Sequence, residues 1–252
     1  MLVKPVPPKP IPRSERLPGR KHIMTLAAGF YCRNGGVLLC ADREENDGIS
    51  RREIDKISRI RRQQGSVFIA VAGKSSIISK LTLCTSHAID DAIDLRLHHV
   101  RLIEESLNST YRAYVRTDED AIAVIVVVAF NDPALMPLLY RSEGEMLVPQ
   151  LSYTAVGSGK QISDYLADRL YDPQLDKPTM TALGAFILRE AEESTNGVGL
   201  GGDMIFIHEG NKDFNHIYTD VVKDIQRAIP RLGDAVWPYW ENTLILPASV
   251  KG

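Results

Sequence analysis

The sequence predicts an α+β fold: two antiparallel sheets face to face, with a pair of helices covering each outer side, a four-layer αββα sandwich. Three observations predict it. The order along the chain is strands, two helices, strands, two helices, strands, without the strand–helix–strand alternation of a parallel sheet. Ala121 to Phe130 is apolar at every position, as in a strand covered on both faces. The helical stretches carry apolar stripes, and facing sheets with helices outside bury all of them.

The globular part begins near Met24. Leu26 to Tyr31 and Val37 to Ala41 read as a hairpin, because Arg33-Asn34-Gly35-Gly36 between them supplies residues that accept positive φ. Ile54 to Ile60 alternates as a short strand, and Val67 to Val71 is a second apolar run closed by Ala72-Gly73. The period then lengthens. Ile77, Leu81, Cys84, Ala88 and Ala92 mark one helix, and Leu97, Val100, Ile103, Leu107, Tyr111 and Tyr114 mark a second. Ala121 to Phe130 follows as a strand. Leu138 to Arg141 and Met146 to Val148 flank a Ser-Glu-Gly-Glu turn, and Tyr153 to Val156 ends in Gly157-Ser158-Gly159. Helices are expected at about 161–171 and 179–193, then strands at Met204 to Ile207 and Ile217 to Val222.

The chain of 252 residues accommodates one large domain with appendages. A hydrophobic fraction of 44% and a charged fraction of 25% exclude a disordered or fibrous protein. A formal net charge of −2 gives no reason to expect nucleic acid as a partner. The longest apolar run, Ala121 to Phe130, is half the ~20 residues of a membrane-spanning helix, so no membrane partner is expected. The N-terminus carries no apolar signal core. Cys32, Cys40 and Cys84 lack metal-ligand spacing and read as reduced core thiols, which points to a cytoplasmic protein. Residues 1–24 differ from the rest. Six prolines break any regular element and six Lys/Arg stand against one acid, Glu15. They form an extended basic tail, either an untranslated or floppy start or a pro-segment, ahead of a single domain at 25–252.

Several motifs fail on their context. Gly73-Lys74-Ser75 follows a strand and opens a helix, but a phosphate-binding loop needs glycine where Phe68 stands. Gly159-Lys160 has Thr154 and Gln161 at the positions that matter. Gly197, Gly199 and Gly202 fit a dinucleotide pattern by letter yet run from helix into strand. His98 and His99, adjacent on a helix, point ~100° apart and read as surface residues rather than a metal pair. No cofactor or metal is expected.

Four segments then occur in order. Thr25-Leu26-Ala27-Ala28-Gly29 leads through a glycine turn to Gly36-Val37-Leu38-Leu39-Cys40-Ala41-Asp42. Ile54-Asp55-Lys56-Ile57 and Val71-Ala72-Gly73 follow. Last come Ala155-Val156-Gly157-Ser158-Gly159, a helix, Thr179-Met180-Thr181 and Gly201-Gly202 before a strand. Across residues 25–210 this set resembles the proteasome β-subunit family, including the bacterial HslV-type peptidase, within the N-terminal-nucleophile hydrolases. The resemblance implies that family's αββα sandwich and a threonine peptidase. Thr25 would supply the hydroxyl nucleophile, with its own α-amino group as base, at an ordinary pKa of ~7.7–8.0. Lys56 would lower the cost of the alkoxide, Asp42 would hold Lys56 charged, the Gly73 N–H would receive the oxyanion, and Ser158 would lie near the amine. It further implies a peptide or unfolded-protein substrate, a homo-oligomeric ring and an ATPase partner. The chain departs from the family pattern in four places, the first being Met24 where family precursors usually carry glycine before the threonine. Thr25 to Asp42 is one residue longer, absorbed in the turn, and Asp42 to Lys56 is two shorter, which preserves strand facing. Before Gly201 the usual acid and serine are replaced by Glu192-Glu193-Ser194-Thr195-Asn196. The alternative reading is a catalytically silent scaffold subunit that keeps residues 1–24 as a gate or tether.

Overall fold

The computed structural model describes residues 25–46, 50–90, 94–117, 121–209 and 214–229. The Pro-rich segment 1–24 and Ala92 therefore lie outside the described residues. Strands β1 (Leu26–Tyr31) and β2 (Val37–Asp42) pair as the expected hairpin. Asn34 and Gly35 turn the chain at φ of 63° and 72°, the region that Asn-Gly enters at least cost. Next come a small ribbon, β3 (Glu44–Asn46) and β4 (Arg51–Glu53), and the strands β5 (Ile57–Arg62) and β6 (Gly65–Ala72). Helices α1 (Ser75–Asp90) and α2 (Leu95–Tyr114) lead to β7 (Ala123–Phe130), β8 (Leu138–Glu143), β9 (Met146–Pro149) and β10 (Tyr153–Gly157). Helices α3 (Lys160–Leu170) and α4 (Lys177–Ser194), strands β11 (Gly202–Ile207) and β12 (Phe214–Ile217), and helix α5 (Thr219–Ala228) complete it.

The strands build two five-stranded antiparallel sheets, ordered β10-β1-β2-β11-β12 and β5-β6-β7-β8-β9, besides the β3-β4 ribbon. Side chains divide by the two-residue period of a strand. Ala27, Leu39, Phe68, Ile125, Val127 and Ile205 meet between the sheets. Leu26, Phe30, Leu38, Met204 and Phe206 point the other way, onto α4 residues such as Met180 and Ile187. Val67, Ile69, Val124 and Val126 cover Leu81, Ile103 and Leu107 of α1 and α2. Being buried on both faces, these strands carry unbroken apolar runs instead of alternation. Polar groups can then enter only where the strands end.

Four expectations need correction. First, the four-layer αββα Ntn-hydrolase sandwich with a helix pair on each outer side gives way to an α+β fold with five helices. Helices α1 and α2 pack on one sheet, while α3, α4 and α5 pack on the other. Second, Ile217 to Val222 is not a strand. Strand β12 stops at Ile217 and α5 starts at Thr219. Val222, Ile225 and Ile229 recur at helical spacing on the core, a period visible only when the window runs past the β-branched Val221-Val222. Third, Ile54 to Ile60 is not continuous. Ile54 N–H donates to Arg43 O, Lys56 lies between β4 and β5, and Lys56 O accepts from Val71 N–H. Fourth, the α2 stripe is turned. Leu95, His99, Ile103, Ser106, Leu107 and Thr110 are buried, whereas Leu97 is 76% exposed. His99 is thus a core residue. Its Nε2 lies 2.9 Å from the Tyr140 hydroxyl and its Nδ1 3.0 Å from Leu95 O, and these contacts satisfy the ring without a metal.

This stripe is testable by chemical unfolding. Leu107→Ala opens a cavity in the core and is expected to cost about 2–5 kcal/mol. Leu97→Ala is expected to stay within about 0.5 kcal/mol of the parent. Equal losses would mean that the helix faces the sheet as the sequence pattern suggested.

Candidate active site

Thr25 stands immediately before β1, and the pairing of β1 decides what surrounds it. Leu26 lies opposite Gly157 on β10, and Ala27 opposite Ala41 on β2, so Asp42 arrives beside the first residues of β1. Gly157 makes that approach feasible. Its φ is +93°, and a Cβ there would fall 2.3 Å from Thr25 O. The turn beyond Gly157 carries Ser158, whose Oγ accepts the Thr25 N–H at 3.0 Å and donates to Thr25 O at 3.3 Å. The Gly159 N–H donates to the same carbonyl at 3.2 Å.

The Thr25 hydroxyl sits between a carboxylate and an ammonium. Its Oγ1 donates to Asp42 Oδ1 at 2.7 Å and accepts from Lys56 Nζ at 2.6 Å. Lys56 Nζ also donates to Asp42 Oδ1 and Oδ2 at 2.8 and 2.9 Å. Thr25, Asp42 and Lys56 are at most 2% exposed. Main-chain donors saturate the carboxylate: Leu26 N–H on Oδ1 at 2.7 Å, and Glu44 and Gly199 N–H on Oδ2 at 3.1 and 3.3 Å. Burial lowers the Lys56 pKa below the ordinary lysine value, and the attraction of Asp42 opposes this without cancelling it. The arrangement can hold a hydroxyl next to a positive charge out of water, which is what a developing alkoxide requires.

Gly73 occupies the corner between β6 and α1 and is buried. It stands two residues beyond Val71, which bonds to Lys56, so it shares that end of the sheet. The N-terminus of α1 receives a protein carboxylate, since Ser75 N–H donates to Glu45 Oε1 at 3.1 Å. The rejected glycine motif also has a use here. Gly202 lies opposite Asp42 where β11 pairs with β2, and Gly199 supplies a donor.

Sequence reasoning missed a second tier. Glu44 is fully buried and paired with Arg51, Nε to Oε1 at 2.7 Å. Glu192 comes close to both Glu44 and Gly199. Burial first, and then the charges of Glu44 and Asp42, push its carboxyl up, against the Leu200 N–H and Arg51. Arg43 pairs with Glu53, Asp55 and buried Asp203, and Asp203 also accepts from Thr219 Oγ1 at 2.9 Å. The acid-rich strings Arg43-Glu44-Glu45 and Glu192-Glu193 were the available signal, and they read equally well as a solvated loop and a solvated helix end. Ser194, the serine of that stretch, bonds to Glu190 O at the end of α4. Among the described residues no group of three His, Cys, Asp or Glu is placed to hold a metal ion. No described helix is long and apolar enough to cross a membrane.

No protein-family model and no curated protein matches the chain. Solved structures do. The Anbu (Gly-1) mutant from Hyphomicrobium sp. strain MC1 aligns with a TM-score of 0.74 at 13% identity over 89% of this chain and 100% of that one. Anbu (ancestral beta-subunit) from Yersinia bercovieri gives 0.74 at 11% identity, with 89% and 100% covered. A chain from the helical assembly of the Anbu complex from Pseudomonas aeruginosa gives 0.73 at 14%, with 89% and 99% covered. At such identities the likeness establishes the fold. That fold is similar to the Anbu proteins, a proteasome-like but distinct family. This corrects the resemblance drawn from the motifs. No sequence match supports an HslV-type peptidase, and the Anbu match replaces the Ntn-hydrolase sandwich. Short motifs around a glycine turn are shared too widely to separate such families.

The site predicts an order of stabilities. Asp42→Ala removes the acceptor of Lys56 and of three main-chain donors and is expected to cost about 3–5 kcal/mol. Lys56→Met keeps the volume, leaves Asp42 with its main-chain donors, and should cost less. Denaturant titrations of both variants check this, and a Lys56→Met loss exceeding that of Asp42→Ala would contradict it.

Proposed function

We propose that this chain is a proteasome-like threonine peptidase whose nucleophile is the hydroxyl of Thr25. The observation that supports it most is the buried Thr25 Oγ1, bonded at once to Lys56 Nζ at 2.6 Å and Asp42 Oδ1 at 2.7 Å. Residues 1–24 are a segment whose removal frees the Thr25 amine, ahead of a single domain at 25–252. The neutral amine takes the proton from Oγ1, and Oγ1 attacks the carbonyl carbon of the scissile peptide. Lys56 stabilises the alkoxide, with Asp42 as its counter-charge, and the Gly73 N–H receives the oxyanion. Collapse of the tetrahedral adduct expels the leaving amine, which takes the proton back from the Thr25 ammonium. Water, deprotonated by the same amine, then cleaves the ester and frees Thr25. Ser158 keeps the amine in place through its Oγ. By likeness to the Pseudomonas aeruginosa Anbu complex, described as a helical assembly, the chain associates with copies of itself. The substrate is a peptide or an unfolded segment. The competing reading, a silent scaffold that retains residues 1–24, is separated from this one by the state of the N-terminus.

Intact-mass measurement of the purified active protein is expected to give a chain starting at Thr25. Full peptidase activity with residues 1–24 still attached would overturn the mechanism. Thr25→Ala and Lys56→Ala are each expected to abolish turnover of short fluorogenic peptides while circular dichroism is unchanged. Lys56→Ala activity above about a tenth of the parent, a loss under ~1.4 kcal/mol, would remove Lys56 from the mechanism.

The pH profile has a defined sign. The amine must be neutral, so activity rises with pH through its ~7.7–8.0. Lys56 must be charged, so activity falls as pH rises through the Lys56 pKa. Burial lowers that pKa, which places the falling limb below the ordinary lysine value of ~10.4. A falling limb at or above the ordinary value would show that Lys56 is not the charge involved.

A further inference from the structure

Glu44 connects the Lys56–Asp42 pair to the molecular surface. Its main chain touches both partners: its N–H donates to Asp42 Oδ2 at 3.1 Å, and its carbonyl accepts from Lys56 Nζ at 2.5 Å. Its side chain has no exposure, although it stands on a strand of only three residues, Glu44–Asn46. A buried carboxylate on so short an element must be neutralised or drawn out to water. Arg51, on the partner strand of the ribbon, neutralises it with a fork, Nε to Oε1 at 2.7 Å and Nη2 to Oε2. The Arg51 side chain is itself 55% exposed, so the clamp is applied from solvent. The same carboxylate forms a wall for Gly199. A Cβ at Gly199 would lie 2.9 Å from Glu44 Oε2 and 2.9 Å from Glu192 Oε1, and the Gly199 N–H is the donor to Asp42 Oδ2.

We propose that Arg51 is a positioning residue: by pairing with Glu44 it holds the β3 main chain and the Gly199 loop against Asp42 and Lys56, and so keeps in place a lysine that it does not touch. Without Arg51 the Glu44 carboxylate is left unpaired beside Glu192, a second carboxyl that burial already disfavours as an anion. Hydration of Glu44 requires β3 to turn outward. That motion removes the carbonyl from Lys56 Nζ and the N–H from Asp42 Oδ2, and it admits water to the ammonium.

For its turnover readout this inference rests on the peptidase reading; for its titration readout it does not. Arg51→Ala, Arg51→Lys and Glu44→Gln are made in the full chain, together with Arg51→Ala in the Glu44→Gln background. Lys56 is titrated by NMR of isotope-labelled lysine, and kcat and KM are measured on a fluorogenic peptide. In Arg51→Ala the Lys56 titration is expected to move up toward the ordinary lysine range, and kcat to fall at least about tenfold and up to about 100-fold. KM should stay within about twofold, and unfolding should remain cooperative. Arg51→Lys, which keeps the charge and loses the fork, should fall between. In the Glu44→Gln background the carboxylate that Arg51 clamps with its fork is gone, so Arg51→Ala should change little. An unshifted Lys56 titration in Arg51→Ala, or an Arg51→Ala effect of the same size with Gln at 44, would overturn the proposal. Should Arg51→Ala not fold, the Arg51→Lys titration decides by the same criterion. Absence of turnover in the parent would sink the peptidase reading, and the titration would still decide the role of Arg51.

Discussion

The ion pair between Lys56 and Asp42 constrains more of this structure than any other contact. Both side chains are about 1% exposed, at a cost in lost hydration that attraction alone does not offset. The remainder comes from hydrogen bonds that saturate the pair. Asp42 takes main-chain donors from the start of β1, from β3 and from the loop before β11, while Lys56 reaches the Thr25 hydroxyl and the Glu44 carbonyl. Each donor comes from a different segment, so the pair is stable only when all of them have docked. The site is therefore a product of the assembled sheet ends and cannot exist in any one hairpin.

The placement of that pair follows from how the sheets are covered. Strands β1, β2, β6 and β7 are buried on both faces, and their interiors accept only apolar side chains. Asp42 is the last residue of β2 and Lys56 precedes β5, the positions where the apolar runs stop. Burial persists there because the β3-β4 ribbon and the Gly199 loop close over the ends. The polar groups beneath that cover make a water-poor pocket in which a lysine gives up its proton more readily than in solvent.

Around the pair the charges are arranged in two shells with opposite demands. Glu44 and Glu192 approach the same glycine, and one arginine, Arg51, serves them from the surface. Arg43, the next residue after Asp42, gathers Glu53, Asp55 and Asp203. A site bearing this many acids is held in shape by two guanidiniums: Arg51 grips Glu44 with a fork that a lysine cannot reproduce, and Arg43 spreads its contacts over three carboxylates.

The sequence by itself determined the strand and helix periods that packing enforces locally. The β1-β2 hairpin with its Asn34-Gly35 turn was legible, as were the apolar run of β7 and the helical stretches of α1 to α4. Thr25, Asp42, Lys56 and Ser158 were legible as candidates because each sits at the end of a readable element, and in the structure Asp42, Lys56 and Ser158 each contact Thr25. The resemblance was less discriminating, for short glycine-bounded motifs are common to proteasome-like families, and the whole-chain fold was needed to point to the Anbu proteins. Tertiary structure alone decided the rest. The rotation of α2, which buries His99 and exposes Leu97, depends on which sheet the helix meets. Helix α5 forms where two adjacent valines suggested a strand, because the core it covers is built from residues far away in sequence. Glu44, Arg51 and Gly199 look like loop residues and Glu192 like the solvated end of a helix, because 157 positions of chain separate Asp42 from its Gly199 donor and only the fold closes that gap. Local spacing reports how a segment presents its faces, and only long-range packing determines which charges are sealed together.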